Sequence, residues 1–266
     1  MNISMKKRYV FAVIIGVLVV GCCITYYNHF ASRISYSEFP VYEGEELLGK
    51  DTYPFTFVFF GDNRPEKGKE QPEIFIRIIE MINEKDPLFV IGGGDFVVEG
   101  TPENFEEFLN IVSALKSPLF YVCGNHDDSP HYEEYLGERV YAFTYKNSLF
   151  VILDNSRRIL DEKQLHFLEK QLQKGFEYTF VFFHMPPFDP EGTYSIIYPG
   201  KFMEIVQKYK VDYVFCSHIH AFYEEKIGDT TLIISGGAGA PLSRQGYFHF
   251  VIVNVGDSIT YTVVTA

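Results

Sequence analysis

Cysteine is scarce in this 266-residue chain, with four in all. Cys22 and Cys23 fall inside one apolar run, whereas Cys123 and Cys216 each close a β-prone run beside polar residues. Buried thiols and a paired bridge both remain open, and no cluster of thiolates of the kind that holds a structural zinc is present. Positive charge is also short. Twenty-three Lys and Arg stand against 35 Asp and Glu, a formal net charge of −12. Residues 1–33 hold Lys6, Lys7, Arg8 and Arg33 and no acid, so this segment is +4 and residues 34–266 carry −16. A domain so acidic repels polyanions, which argues against nucleic acid as a partner. Neither an internal repeat nor a low-complexity tract interrupts the chain.

Hydrophobic residues make up 47% of the sequence, ample for one sizeable core. Near the N-terminus, Lys6, Lys7 and Arg8 precede an uncharged, mostly apolar run from Tyr9 to Tyr27. Those 19 residues are long enough to cross a bilayer as a helix and longer than the apolar part of most cleaved signals. The basic residues ahead of the run keep that end in the cytoplasm, so the rest of the chain is expected outside it. A second reading is a lipoprotein anchored through Cys22, because Val19-Val20-Gly21-Cys22 resembles a lipoprotein cleavage box. Against it, Cys23, Ile24, Tyr26 and Tyr27 continue the apolar run where polar residues are usual. The expected organisation is an anchor or signal segment over 1–33, a linker over 34–54, and one folded domain over 55–266.

Within that domain, short apolar runs alternate with amphipathic stretches. Phe55 to Phe60 reads as a buried strand that ends in Gly61-Asp62-Asn63-Arg64. Pro72 opens a helix whose Ile74, Phe75, Ile78, Ile79 and Ile82 share a face, and Asp86-Pro87 stops it. Leu88 to Ile91 is the next strand and runs into Gly92-Gly93-Gly94-Asp95. Thr101-Pro102 caps a second helix, and Leu119 to Cys123 ends in Gly124-Asn125-His126-Asp127. This βαβαβ order predicts parallel strands with polar residues at their C-terminal ends, where open α/β sheets place their sites. The second half predicts a hairpin over 141–153 and a helix over 160–174. A strand over 179–183 then ends at His184, a helix covers 202–209, and a strand over 211–216 ends in Ser217-His218-Ile219-His220. Strands over 248–255 and 259–264 close the chain.

The polar residues at these strand ends are Asp62, Asp95, Asn125, His126, His184, His218 and His220. Carboxylate and amide oxygens with imidazole nitrogens suit Mn, Fe or Zn, and there are donors enough for two ions. Successive side chains of an extended segment face opposite ways, and His218 and His220 are expected to need an irregular turn or two neighbouring ions. Paired ions of this kind serve in-line attack on phosphorus. His29, His131, His166 and His249 read as structural. The 17% aromatic content reads as core packing, and Glu133-Glu134 and Glu224-Glu225 as solvated faces.

Gly61-Asp62, Gly94-Asp95, Gly124-Asn125-His126-Asp127, His184 and His218-Ile219-His220, in that order, resemble the motif set of the calcineurin-like metallophosphoesterases. The resemblance covers about residues 55–255 and implies an α/β (α+β) fold. This is a four-layer αββα sandwich of two mixed β-sheets flanked by helices, here preceded by one N-terminal transmembrane helix. It implies that Asp62, Asp95 and His220 hold one divalent ion and that Asp95, Asn125, His184 and His218 hold the other, with Asp95 bridging. A metal-bound hydroxide is the implied nucleophile, with His126 protonating the leaving oxygen and Asp127 orienting His126. One position departs from the pattern. The family commonly has a histidine two residues past the first aspartate, and this chain has Arg64, which cannot ligate a metal. The ion at Asp62 is therefore expected to bind more weakly, and Arg64 is expected to grip a phosphate oxygen. The purple acid phosphatase branch has a tyrosine where this chain has Val98, which disfavours that branch. The expected activity is hydrolysis of phosphate esters, with monoesters favoured. Diesters or lipid phosphates are the alternative, and a non-catalytic metal-binding scaffold stands outside the class. The expected partners are a phosphorylated small molecule or a lipid head group, and the membrane through residues 9–27.

Overall fold

The computed structural model describes residues 39–192 and 195–266. The apolar run over 9–27 and Cys22 lie outside the described residues. Among the described residues, no helix is long and apolar enough to cross a membrane.

The chain runs β1 (Val41–Glu43), α1 (Gly44–Leu48), β2 (Phe55–Phe60), α2 (Glu73–Lys85), β3 (Phe89–Gly92), α3 (Pro102–Val112) and β4 (Leu119–Tyr121). Next come α4 (Tyr132–Leu136), β5 (Tyr141–Tyr145), β6 (Ser148–Ile152), α5 (Glu162–Leu172), β7 (Tyr178–Phe182), α6 (Gly200–Tyr209) and β8 (Tyr213–Cys216). Strands β9 (Phe222–Ile227), β10 (Thr230–Ser235), β11 (His249–Val255) and β12 (Ile259–Thr265) complete it. Among the described residues the strands form two mixed sheets. One has seven strands in the order β1-β5-β6-β7-β8-β10-β9, and the other has five in the order β12-β11-β2-β3-β4. The expected parallel pairing of β2, β3 and β4 is present.

Alternation along the strands builds the layers. Phe57 and Phe59 of β2 point between the sheets and meet Phe150, Phe180, Phe182 and Phe215 of the other sheet. Val58 and Phe60 point the other way, onto Phe75, Ile78, Ile79 and Ile82 of α2 and Phe105 and Phe108 of α3. On the seven-stranded sheet, Val181 and Val214 face α5 and α6 through Leu165, Leu168, Phe202 and Val206. The result is helix, sheet, sheet, helix. The inner layer is largely aromatic, with Phe143 stacked on Phe150 at 4.6 Å between ring centroids. That packing accounts for the aromatic content, because stacked and edge-on rings bury large areas without polar cost. Helix boundaries follow the expected signals. Pro72 sits at the start of α2, Asp86 ends it in the left-handed region, and Thr101 caps α3 by accepting from Asn104 N. Cys123 and Cys216 are free, buried thiols, which settles the alternative left open by their spacing.

Strands β1 and β9 and helices α1 and α4 lie outside the sequence reading. Residues 41–48, expected as linker, form β1 and α1, and β1 extends the seven-stranded sheet by parallel pairing with β5. All three β1 residues are exposed, so no apolar periodicity marks the strand. Strand β9 pairs antiparallel with β10, and its mid-strand Glu224, Glu225 and Lys226 are exposed. An edge strand with charged residues reads as a loop by composition, although it is a common device against edge-to-edge association. Helix α4 has five residues, too few for a periodic signal.

Candidate metal centre

Every residue singled out as a candidate ligand stands just past the C-terminal end of a strand: Asp62 after β2, Asp95 after β3, Asn125 after β4, His184 after β7, and His218 and His220 after β8. The two sheets stack so that these ends converge. Three of the six have left-handed backbones, with φ of 58° at Asp62, 56° at Asp95 and 69° at His218. Each such non-glycine residue costs about 1–3 kcal/mol and persists where the surroundings fix it for a purpose. His218, in such a turn, and His220 belong to different donor groups. Glycines allow the loops to touch. A side chain on Gly94, itself at φ 96°, would come within 2.8 Å of His184 Nδ1, and one on Gly124 would run into the backbone nitrogen of Asp95.

Backbone carbonyls set the imidazoles. His184 Nδ1 lies 2.9 Å from Gly93 O, His220 Nδ1 2.6 Å from Pro241 O and His126 Nδ1 2.8 Å from Val98 O. A carbonyl only accepts, so each Nδ1 carries the proton and each Nε2 is turned toward the centre. His184 Nε2 then faces Asn125 Oδ1 at 3.2 Å, Asp95 Oδ1 at 3.3 Å and His218 Nδ1 at 3.2 Å. His220 Nε2 faces Asp62 Oδ1 at 3.4 Å. The backbone N–H of His218 donates to the other oxygen of Asp62 at 2.7 Å.

Two donor groups result, Asp95–His184–His218 and Asp62–Asp95–His220, each with its ligand atoms within 4.8 Å of one another. They share Asp95, and Asn125 stands against the first. This division is the one implied by the family resemblance. The residues fit divalent ions. Asp62 Oδ1 is buried without a hydrogen-bond partner and lies 3.4 Å from His220 Nε2, an arrangement that a cation between the two would satisfy. Burial lowers the His220 imidazole, but the Asp62 carboxylate outweighs it and raises it to about 9. Burial likewise opposes the charged form of Asp62, yet His220, His184 and His218 hold its carboxyl below the usual value. Burial lowers His184 as well, while Asp95 and Asp62 carry it above its usual value. His218 is pushed down to about 4, by burial and then by its neighbour His184. The upward shifts of His184 and His220 come from the buried Asp62 and Asp95 carboxylates beside them.

Arg64 lies at this centre, with Nε 3.6 Å from Asp95 Oδ2 and a side chain 18% exposed. Nε is buried and makes no hydrogen bond. His126 is not among the converging groups. Its ring is 33% exposed, and Nε2 is 3.9 Å from Asp95 Oδ2.

Asp127 requires a correction. It was expected to orient His126, and Val98 O does that instead. The Asp127 carboxylate is fully buried and accepts four backbone N–H bonds, from Asp95 at 2.8 Å and Gly124 at 2.9 Å on one oxygen, and from Phe96 at 2.8 Å and Val97 at 3.2 Å on the other. Burial and the nearby Asp95 raise its carboxyl to about 7, against those bonds. Asp127 therefore fixes the Asp95 turn and does not reach the reacting side of the centre. Sequence reading also missed Asn155, just after β6, whose side chain pairs with both backbone polar groups of Met185 and so holds the segment beside His184. Its signal was the same as for the ligands, a polar residue directly after a buried strand. The orienting carbonyls of Gly93, Val98 and Pro241 carry no signal, because any residue supplies one.

The model of the calcineurin-like phosphoesterase family matches residues 55–222. Among curated proteins, a glycerophosphodiester phosphodiesterase of Enterobacter lignolyticus is 28% identical over 162 residues, 50% of this chain and 56% of the relative. A "probable cyclic nucleotide phosphodiesterase" of Rhodopseudomonas palustris is 25% identical over 186 residues, 61% of this chain and 68% of the relative. The chain thus spans a little over half the length of the first. Among solved structures, a purple acid phosphatase from yellow lupin superposes with TM-score 0.68 at 18% identity, covering 81% of this chain and 52% of that one. The Plasmodium protein described as the anchor in the inner membrane complex superposes with TM-score 0.64 at 14% identity, covering 79% and 84%. At such identities these two structures speak for the fold alone.

Proposed function

The chain belongs to the calcineurin-like phosphoesterase family, and on that premise we propose that it hydrolyses phosphate monoesters at a dinuclear metal site. The observation that carries this reading is the pair of donor groups sharing Asp95, with the Arg64 guanidinium beside the shared carboxylate. Divalent ions bound there would supply charge to the phosphoryl oxygens and make water acidic enough to react at neutral pH. Asp62, Asp95 and His220 would hold one such ion, and Asp95, Asn125, His184 and His218 the other. Arg64 offers a buried, unbonded Nε–H and a permanent charge to a phosphoryl oxygen. That extra cation favours a dianionic monoester over a singly charged diester. His126, partly exposed and oriented through Nδ1–H, presents Nε2 to the leaving oxygen and, with a second proton on Nε2, serves as the acid that donates it.

Hydrolysis of diesters is the second reading, and the names of the two curated relatives favour it. Turnover of p-nitrophenyl phosphate and bis(p-nitrophenyl) phosphate with added Mn²⁺ separates the two. A higher kcat/KM on the monoester supports the first, the reverse ratio supports the second, and turnover of neither contradicts both.

The location we propose is outside the cytoplasm, tethered through residues 9–27. Lys6, Lys7 and Arg8 ahead of the uncharged run support it. The lipoprotein alternative at Cys22 leads to the same side of the membrane.

A further inference from the structure

His249 opens β11 in the five-stranded sheet, and Ser235 closes β10 in the seven-stranded sheet. Strand β10 runs parallel to β8 and β11 antiparallel to β2, so both residues stand at the end where the metal donors converge. Both are buried, and neither belongs to a donor group. His249 Nδ1 lies 2.7 Å from Tyr247 O, and Nε2 lies 3.0 Å from Ser235 Oγ. A carbonyl only accepts, so Nδ1 carries the proton and Nε2 accepts from the Ser235 hydroxyl. Burial holds the imidazole below its ordinary value, in keeping with this neutral form. One side-chain hydrogen bond thus ties the two sheets together at the metal end.

The segment that leaves Ser235 goes on to touch two ligands. Gly236 comes so close to Asp62 that a side chain there would meet its Oδ2 at 2.5 Å. Ala240 N donates to Asp62 O at 2.8 Å, and Pro241 O accepts from His220 Nδ1 at 2.6 Å. Between Ser235 and Pro241 stand three glycines and two alanines. Such a stretch has wide backbone freedom and almost no side chain to pack, so its course depends on bonds from outside. His249 supplies them, from its side chain to Ser235 Oγ and from its backbone N–H to Gly237 O at 3.0 Å. The other donor group is held elsewhere, His184 by Gly93 O and the Asp95 turn by Asp127.

We propose that His249 is a positioning residue for the ion at Asp62 and His220: through the Ser235 hydroxyl it fixes the 235–241 segment, so that Pro241 O keeps His220 Nε2 aimed at Asp62. The proposal rests on the dinuclear reading of the centre. It assigns the histidine a part in metal affinity without contact to the metal, because an imidazole ligand binds well only when the acceptor behind its other nitrogen is held still.

The test is calorimetric Mn²⁺ titration of the full-length protein and three variants. His249→Gln places an amide oxygen where Nε2 stood and still accepts from Ser235. His249→Asn reaches only the Tyr247 carbonyl, and Ser235→Ala removes the hydroxyl alone. His249→Asn and Ser235→Ala should each raise the Kd of the weaker ion by roughly ten- to hundredfold and leave the firmer ion unchanged, while His249→Gln stays close to the parent. The two losses should not add in the double variant, since both break one bond. A second reading needs no metal: in the metal-free protein the His220 Nδ1–H proton, followed by NMR, should be protected from exchange in the parent and His249→Gln and unprotected in the other two. If no form takes up Mn²⁺ but this signal follows that order, the positioning role stands and the dinuclear reading falls. If His249→Asn and Ser235→Ala keep the His220 signal and the second ion, or lose both ions alike with a lowered melting temperature, His249 only packs the fold and the proposal is overturned.

Discussion

Arg64 Nε lies 3.6 Å from Asp95 Oδ2, the carboxylate common to both donor groups. A permanent cation thus occupies ground that the family usually gives to an imidazole ligand. Replacing Arg64 with histidine should tighten the ion held by Asp62 and His220 and raise KM for a monoester. Arg64→Ala should raise KM by roughly ten- to hundredfold, the worth of a charged hydrogen bond, without tightening the metal. Calorimetric metal titration and steady-state kinetics on both variants check this. Variants that match the parent in both measurements would remove the argument for a monoester.

His126 hydrogen-bonds through Nδ1 to Val98 O and belongs to neither donor group. Its replacement by alanine should lower turnover by roughly 10²–10⁴-fold and leave the metal content unchanged. The loss should shrink for esters whose leaving group needs no proton, such as p-nitrophenol. Loss of metal in His126→Ala would make it a ligand instead.

Asp127 acts on stability. Its carboxylate satisfies four buried N–H groups around the Asp95 turn. Asp127→Ala strands them, and the expected cost is roughly 3 kcal/mol or more in thermal or denaturant unfolding. Asp127→Asn turns a donor toward these N–H groups and should also destabilise. A catalytic role confined to the proton path would instead lower turnover with an unchanged melting curve.

Much of this site is legible in the sequence, because strand ends are. A buried apolar run that stops at glycine and a polar residue marks both a strand and the side chain it delivers, so Asp62, Asp95, Asn125, His184, His218 and His220 can be picked out before their mutual distances are known. The roles within the cluster are less legible. Asp127 and His126 are adjacent, yet one turns into backbone and the other toward the reacting side, and only the path of the Asp95 loop decides which. Strand β1 and strand β9 escaped because exposed edge strands lack the apolar alternation by which strands are recognised.

The proposed placement outside the cytoplasm has its own test. Protease added to intact cells or spheroplasts should digest residues 34–266. Protection until lysis would place the domain on the inner side.

The most direct test of the account is the metal content of the full-length protein after stripping and titration with Mn²⁺, followed by elemental analysis and hydrolysis of p-nitrophenyl phosphate. Two donor groups sharing Asp95 predict two ions per chain, the second only in excess metal. Asp95→Asn should weaken both, while Asp62→Asn should release only the weaker and His184→Ala the firmer ion, with turnover falling in each. A parent protein that takes up no metal, or an Asp95→Asn variant that keeps both ions and its turnover, would contradict it.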